Sequence, residues 1–144
     1  MGGQNGPQGV GSAGEQCDVV MALVPQYAQN GDTAGAEIDR QDYQAAIFKV
    51  LVGAKDATTF TSLAYKVQHC ATSGGSFADA SVGHFGAVSG SVLTISTAGA
   101  DLVVDLRGMY RYIKLLFTGV ISGGNAQAFG AATCMLSGKG YQTT

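Results

Sequence analysis

Tryptophan is absent from this 144-residue chain, proline and histidine occur twice each, cysteine three times, and only 12% of the residues are charged. Each shortage excludes something. With two imidazoles, His69 and His84, no His/Cys/Asp cluster has ligand spacing, and His69 and Cys70 fall on opposite faces of any strand that holds both, so no metal is expected. Cys17, Cys70 and Cys134 are odd in number and far apart. A disulfide framework is therefore not expected, and each thiol reads as free and buried in a reducing cytoplasm. No apolar run approaches 18 residues, and the first sixteen residues carry neither a basic stretch nor an apolar one, so neither a membrane span nor a secretion signal is expected. Gly6 stands where myristoylation needs Ser or Thr.

Charge is scarce and balanced. Eight Lys and Arg against ten Asp and Glu give a formal net charge of −2, and the cations are scattered. Phosphate neutralisation needs a basic stripe, so nucleic acid is not an expected partner. An average domain is about one quarter charged. Here Gly, Ser, Thr, Gln and Asn hold the polar positions instead, and mean hydropathy is only +0.17. Such an uncharged surface suits a subunit packed against others better than a free monomer.

No reactive set can be assembled either. A Cys70/His84 pair has no orienting third group. Asp101 and Asp105 share a strand face without a sign of the apolar pocket that a general acid needs. Gly138-Lys139-Gly140 lacks phosphate-loop spacing. No enzyme activity and no cofactor is expected.

What the chain does hold is alternation. Tyr110–Thr118 places Arg111, Ile113, Leu115 and Phe117 on one face and Tyr110, Tyr112, Lys114, Leu116 and Thr118 on the other. Leu102–Leu106 precedes it across Arg107-Gly108-Met109, where glycine permits the positive φ of a tight connection. Phe60–Cys70 sets Leu63, Tyr65 and Val67 against Ser62, Ala64, Lys66 and Gln68, a half-buried strand. Cys17–Val24 and, apart from Gln44 and Lys49, Tyr43–Val52 are apolar on both parities. The first reads as a buried strand stopped by Pro25, the second as the centre of a sheet. A helix over Gln41–Leu51 is the local rival, outweighed by Ile47, Phe48, Val50 and Val52. Val92–Ser96 and Ala126–Leu136 read as further strands, Ala98-Gly99-Ala100 and Ser122–Asn125 as turns, and Ser81–Ser91 as a loop. Short strands with turns every eight to twelve residues predict an all-β fold, a jelly roll or β-sandwich over residues 17–144, preceded by an extended Gly-rich arm over 1–16 that orders on a neighbouring subunit or threads back over its own domain. At this length one core is expected.

Four side chains near the central connection are the candidate site. Arg107 and Arg111 read as surface or intersubunit ion-pair residues with Glu37, Asp39 or Asp105 as partners, and Tyr110 and Tyr112 as cross-strand packing or as interface anchors, since Tyr and Arg dominate interface energetics.

An ordered set of segments resembles a known family. Glu37-Ile38-Asp39-Arg40-Gln41-Asp42-Tyr43, the run ending Val52-Gly53-Ala54, Val67-Gln68-His69 leading to Gly75-Ser76-Phe77-Ala78-Asp79, and Asp105-Leu106-Arg107-Gly108 with Arg111-Tyr112-Ile113 together resemble the jelly-roll capsid decoration, or cement, proteins of tailed bacteriophages. The likeness covers roughly Ile38 to Leu136. The chain differs at Asp42, where the family carries glycine, and at Cys70, where a polar residue such as serine is usual. The resemblance implies a structural protein on the outer surface of the virion head, made in the bacterial cytoplasm, with the major capsid protein and its own copies (dimer or trimer) as partners. It implies no catalytic residue. A tail or baseplate component and a carbohydrate-binding β-sandwich module with weak glycan binding are the alternative readings, the second weakened by the missing tryptophan.

Overall fold

Alternation and turn chemistry build two antiparallel sheets in the computed structural model, which describes residues 17–28, 31–55, 60–81, 93–95, 99–121 and 128–139. The first sheet has four strands in the order β1 (Cys17–Ala28), β10 (Ala128–Ser137), β4 (Ala45–Lys55), β8 (Gly99–Asp105). The second has six. Its path runs β2 (Gly31–Ala34), β9 (Tyr112–Ile121), β5 (Phe60–Cys70), β6 (Ala78–Asp79), with β3 (Ile38–Asp39) also on β9 and β7 (Leu93–Ile95) also on β5. Among the described residues there is no helix. The fold is an all-β sandwich. The expected arm over 1–16, the turn at Ser122–Asn125 and the loop from position 82 to Ser91 lie outside the described residues.

One parity of each long strand fills the core between the sheets. Ala46, Phe48 and Val50 of β4, Leu102 and Val104 of β8, and Ala132, Cys134 and Leu136 of β10 meet Tyr65 and Val67 of β5 and Ile113, Leu115 and Phe117 of β9. The half-buried reading of β5 and the inward stripe of β9 both hold. So does the central place of β4, flanked by β10 and β8.

Five expectations need correction. Pro25 does not stop β1, which runs on to Ala28 with register shifts between Met21 and Leu23 and between Leu23 and Gln26. The strand lies at a sheet edge, where a missing N–H costs no ladder bond and a bulge absorbs the ring. Nor is β1 buried on both faces: Ala22 and Leu23 pack into the core, while Val19 and Met21 point away from the second sheet and stay exposed. Cys17 is exposed, unlike the buried Cys70 and Cys134. Gly99 and Ala100 belong to β8 rather than to a turn. The strand expected from Tyr110 begins at Tyr112, because β8 and β9 belong to opposite sheets and residues 106–111 carry the chain from one to the other. In that connection Gly108 takes φ +83°, the Met109 N–H donates to the Leu106 carbonyl at 3.0 Å, and the Met109 side chain enters the core. Asp42 adopts φ +72° in a turn. This is the left-handed conformation that glycine adopts without strain and that Asp tolerates best among the rest.

Tyr65 brings a phenol into this core. Its ring packs on Phe117 with centroids 6.0 Å apart, and its hydroxyl finds no hydrogen-bond partner among the described residues. Burial first, then the charge of Asp101, pushes its pKa up to about 12 from an ordinary 10.0. Burial also pushes the Cys134 thiol up to about 12 from 9.0. Both groups are held neutral by the fold. Their contribution is complete below the unfolded values and is lost as pH rises through 10 to 12 for Tyr65 and 9 to 12 for Cys134. Tyr65→Phe is expected to raise stability at neutral pH by about 1 kcal/mol, the cost of an unpaired hydroxyl being removed, and to move the alkaline unfolding midpoint upward. Urea titrations at neutral and alkaline pH measure both. A loss of stability would show that the hydroxyl has a partner.

Candidate functional site

Two surfaces have the properties of a site. The first is the end of the sandwich where residues 37–43, 69–76 and 105–112 meet, and it holds the residues singled out from sequence. Arg111 forks onto Asp39, with Nη2 to Oδ2 at 2.7 Å and Nε to Oδ1 at 3.0 Å. The pair keeps the Asp39 carboxyl below and the Arg111 guanidinium above their ordinary pKa values, in each case chiefly through that hydrogen bond. The guanidinium also lies 5.3 Å from the centroid of the half-buried Tyr112 ring. Arg107 has its own partner, donating Nε and Nη2 to the Asp105 carboxylate at 2.9 and 2.8 Å. Both arginines therefore form ion pairs within the chain. Tyr110, 55% exposed, sits just ahead of β9, its ring 4.8 Å from that of His69 while its N–H donates to His69 Nδ1 at 3.2 Å.

Two further residues matter at this end: Arg40, which sequence reasoning does not single out, and Glu37, expected as an ion-pair partner of the arginines but held by Ser73 and Gly74 instead. Arg40 donates Nε to the Tyr110 carbonyl at 3.1 Å, Nη1 to the Tyr43 carbonyl at 3.3 Å, and Nη2 to the Met109 carbonyl. Glu37 accepts the Ser73 hydroxyl at 2.6 Å and the Gly74 N–H at 2.9 Å, in that order the main causes that hold its pKa below the ordinary value. A shallow cleft of about 240 Å³ lined by Arg40, Gln41, Asp42 and Arg111 lies between these ties. Its cations are already spent on neighbouring oxygens. What this end does chemically is fasten three loops together.

The second surface is the outer face of the four-stranded sheet. Register places Val19 beside Met135, Met135 beside Ile47, and Ile47 beside Val103, so one apolar row crosses all four strands. Val19 is 66% exposed, Val103 43% and Met135 38%. The next row, Met21, Thr133, Lys49 and Asp101, carries an ion pair at 3.0 Å between its last two members. Beyond it Leu51 is 52% exposed opposite Ala131. The six-stranded sheet differs. Its outer face is occupied by paired polar groups, with Lys66 and Gln68 on Asp79 at 2.8 Å each and the Thr118 hydroxyl on Asp32 at 2.6 Å, while Lys114 Nζ stands 4.2 Å from the Phe77 ring centroid. One face of the sandwich is finished for water and the other is not.

Sequence reasoning did not pick out this face, although its signal was present. Apolar residues on both parities of Cys17–Val24 and Tyr43–Val52 were read as burial on two sides. The structure buries only one side of each within the chain, and the other side is the unfilled half of the same pattern.

No protein-family model and no curated protein matches the sequence. Among solved structures, the chain is similar to that of the SPBc2 prophage-derived protein YomS, with a TM-score of 0.46 and 14% identity over 81% of this chain and 92% of that one.

Proposed function

We propose that this chain is a structural virion protein, a capsid decoration or cement protein that binds the outer surface of a tailed-phage head and stabilises contacts between major capsid protein subunits. The observation that carries the reading is the pair of unlike sheet faces. One is closed by polar pairs and faces water, and the other presents an apolar row across four strands, the arrangement of a subunit that works by covering surface. The sparse charge of the chain and the resemblance of its ordered segments to decoration proteins support the same reading. The sandwich end supports a role without catalysis, because Arg40, Arg111, Asp39 and Glu37 are engaged in holding loops. Cementing needs no single tight contact. Several modest contacts made at once reinforce one another through effective concentration after the first has formed.

The test is co-sedimentation of the purified chain with empty heads and, separately, with tails of a phage that encodes it. Binding to heads alone is the expected result. Binding to tails alone would make it a tail or baseplate component, and binding to neither would end the virion reading.

A further inference from the structure

From the free edge of the four-stranded sheet we infer a strand-addition site, at which β8 takes up an extended, basic segment of another protein as a fifth strand. The Leu106 N–H donates to the Gln44 carbonyl at 2.8 Å, which sets the phase of the ladder between β4 and β8. Backbone groups alternate along a strand, so Leu102 and Val104 bond to β4, and the N–H and C=O of Asp101 and Val103 point out of the edge. Among the described residues no strand pairs with β8 on that side. The pairing with β4 runs from Ala45 and Asp105 to Leu51 and Gly99 without a register shift, so the 7 residues of β8 form a regular template. The other edges are blunted. β1 is bulged and contains Pro25, and the six-stranded sheet ends in short pieces, β2 and β3 on one side and β6 and β7 on the other.

Charge selects the occupant. Asp101 and Asp105 lie on the outer parity of β8 with Val103 between them. A second copy of β8, antiparallel and centred on Val103, would set Asp101 opposite Asp105 at both ends of the pair, and like charges directly opposite are destabilising. The carboxylates therefore guard the edge against self-pairing. They leave it open to a strand with Lys or Arg at the two flanking positions and an apolar residue between. Lys49 reaches Asp101 Oδ1 at 3.0 Å from the β4 side, and a carboxylate has acceptor sites for a further donor arriving from the open side. Residues 1–16, MGGQNGPQGVGSAGEQ, do not fit the edge, because they hold no Lys or Arg and include six glycines and a proline, which strands disfavour. In a site of this kind main-chain hydrogen bonds supply affinity and alternate side chains supply specificity.

This inference goes beyond the capsid reading and does not rest on it, since its test uses a peptide and no virion. The probe is the capped peptide TKTVTKT, with TETVTET as its charge-reversed counterpart, added to the full chain while amide hydrogen exchange is followed by NMR. In the free chain the Asp101 and Val103 amides are expected to exchange quickly and those of Leu102 and Val104 slowly. With TKTVTKT at about ten times its Kd, exchange at Asp101 and Val103 is expected to slow about tenfold, with Leu102 and Val104 unchanged. TETVTET is expected to bind about tenfold more weakly. Val103→Pro removes an outward N–H that β4 does not use, at an edge position where proline is tolerated, and is expected to abolish binding with the fold intact. Asp101→Lys keeps every backbone group and exchanges one exposed charge for another. It is expected to weaken TKTVTKT about tenfold and keeps the test decisive if the proline variant does not fold. Slow exchange of Asp101 and Val103 in the free chain would show the edge already occupied and overturns the proposal. So do unprotected Asp101 and Val103 amides at millimolar TKTVTKT, equal binding of TETVTET, or binding that survives Val103→Pro or Asp101→Lys.

Discussion

Gly35→Ala is expected to lower the stability of the domain by about 3 kcal/mol, the upper part of the range for forcing extra atoms into a filled site. Gly35 sits where the chain bonds to both sheets at once. β2 ends at Ala34 on the six-stranded side, the Gly35 N–H then donates to the Leu115 carbonyl at 2.7 Å, and the Ala36 N–H donates to the Ala22 carbonyl at 2.9 Å. Consecutive amides thus bond to opposite sheets. A Cβ at Gly35 would lie 2.2 Å from the Ala22 oxygen and 2.9 Å from the Leu115 oxygen. Both are backbone atoms, so no rotamer change relieves the clash. The sheets must spread, and the two hydrogen bonds at this corner lengthen with them. Gly35 is not a left-handed residue, so the cost is steric and Asn cannot substitute for glycine here as it can at a left-handed turn position. For a chain of this size the loss corresponds to a fall in Tm of about 10 °C, readable by thermal or urea unfolding. An unchanged Tm would mean that β1 and β9 do not approach this closely.

Much of the sandwich is legible along the chain because each strand's own alternation reports which parity faces inward. Phe60–Cys70 coincides with β5, and Ile113, Leu115 and Phe117 line the core as their spacing requires. Periodicity does not report what covers a face. Hence Val19, Leu51 and Met135 look like core in the sequence and are exposed in the fold. Nor does it report which strands pair. Leu102–Leu106 and the run after Tyr110 resemble neighbours across a tight connection, yet they lie in different sheets, and β4 pairs instead with β8 and with the distant β10. The candidate residues Arg107, Arg111, Tyr110 and Tyr112 were chosen for residue type and position near that connection. Their partners Asp105 and Asp39 were among those expected, but whether such a pair forms within or between chains is decided only by the fold. Gly35 and Arg40 carried no local signal, because the groups that make them necessary lie on other elements; for Arg40 two of its acceptors are 69 and 70 residues away.

Arg40 gives the second large expected effect. Its guanidinium reaches the carbonyls of Met109, Tyr110 and Tyr43, and its own N–H donates to the Arg111 carbonyl at 3.0 Å. These are the acceptors of the 106–111 crossover and of the chain entering β4. Met109 is in the core, so a loosened crossover also withdraws an apolar side chain from between the sheets. Hydrogen bonds from a charged donor contribute about 1.5–3 kcal/mol each, and Arg40 is partly exposed, which reduces the total. Arg40→Met, which keeps the apolar stem, is expected to cost about 3 kcal/mol in urea unfolding by this reasoning. Arg40→Lys is expected to recover little of it, since an ammonium on a flexible stem cannot present a planar fork to separate carbonyls. Arg111→Met removes an exposed pair instead and is expected to lose far less. The order Arg40→Met and Arg40→Lys well below Arg111→Met is the result that assigns the clamp to Arg40. If Arg40→Lys unfolds with the wild type, or if Arg111→Met is the more damaging change, the three loops are held by the Asp39 ion pair and the crossover needs no guanidinium.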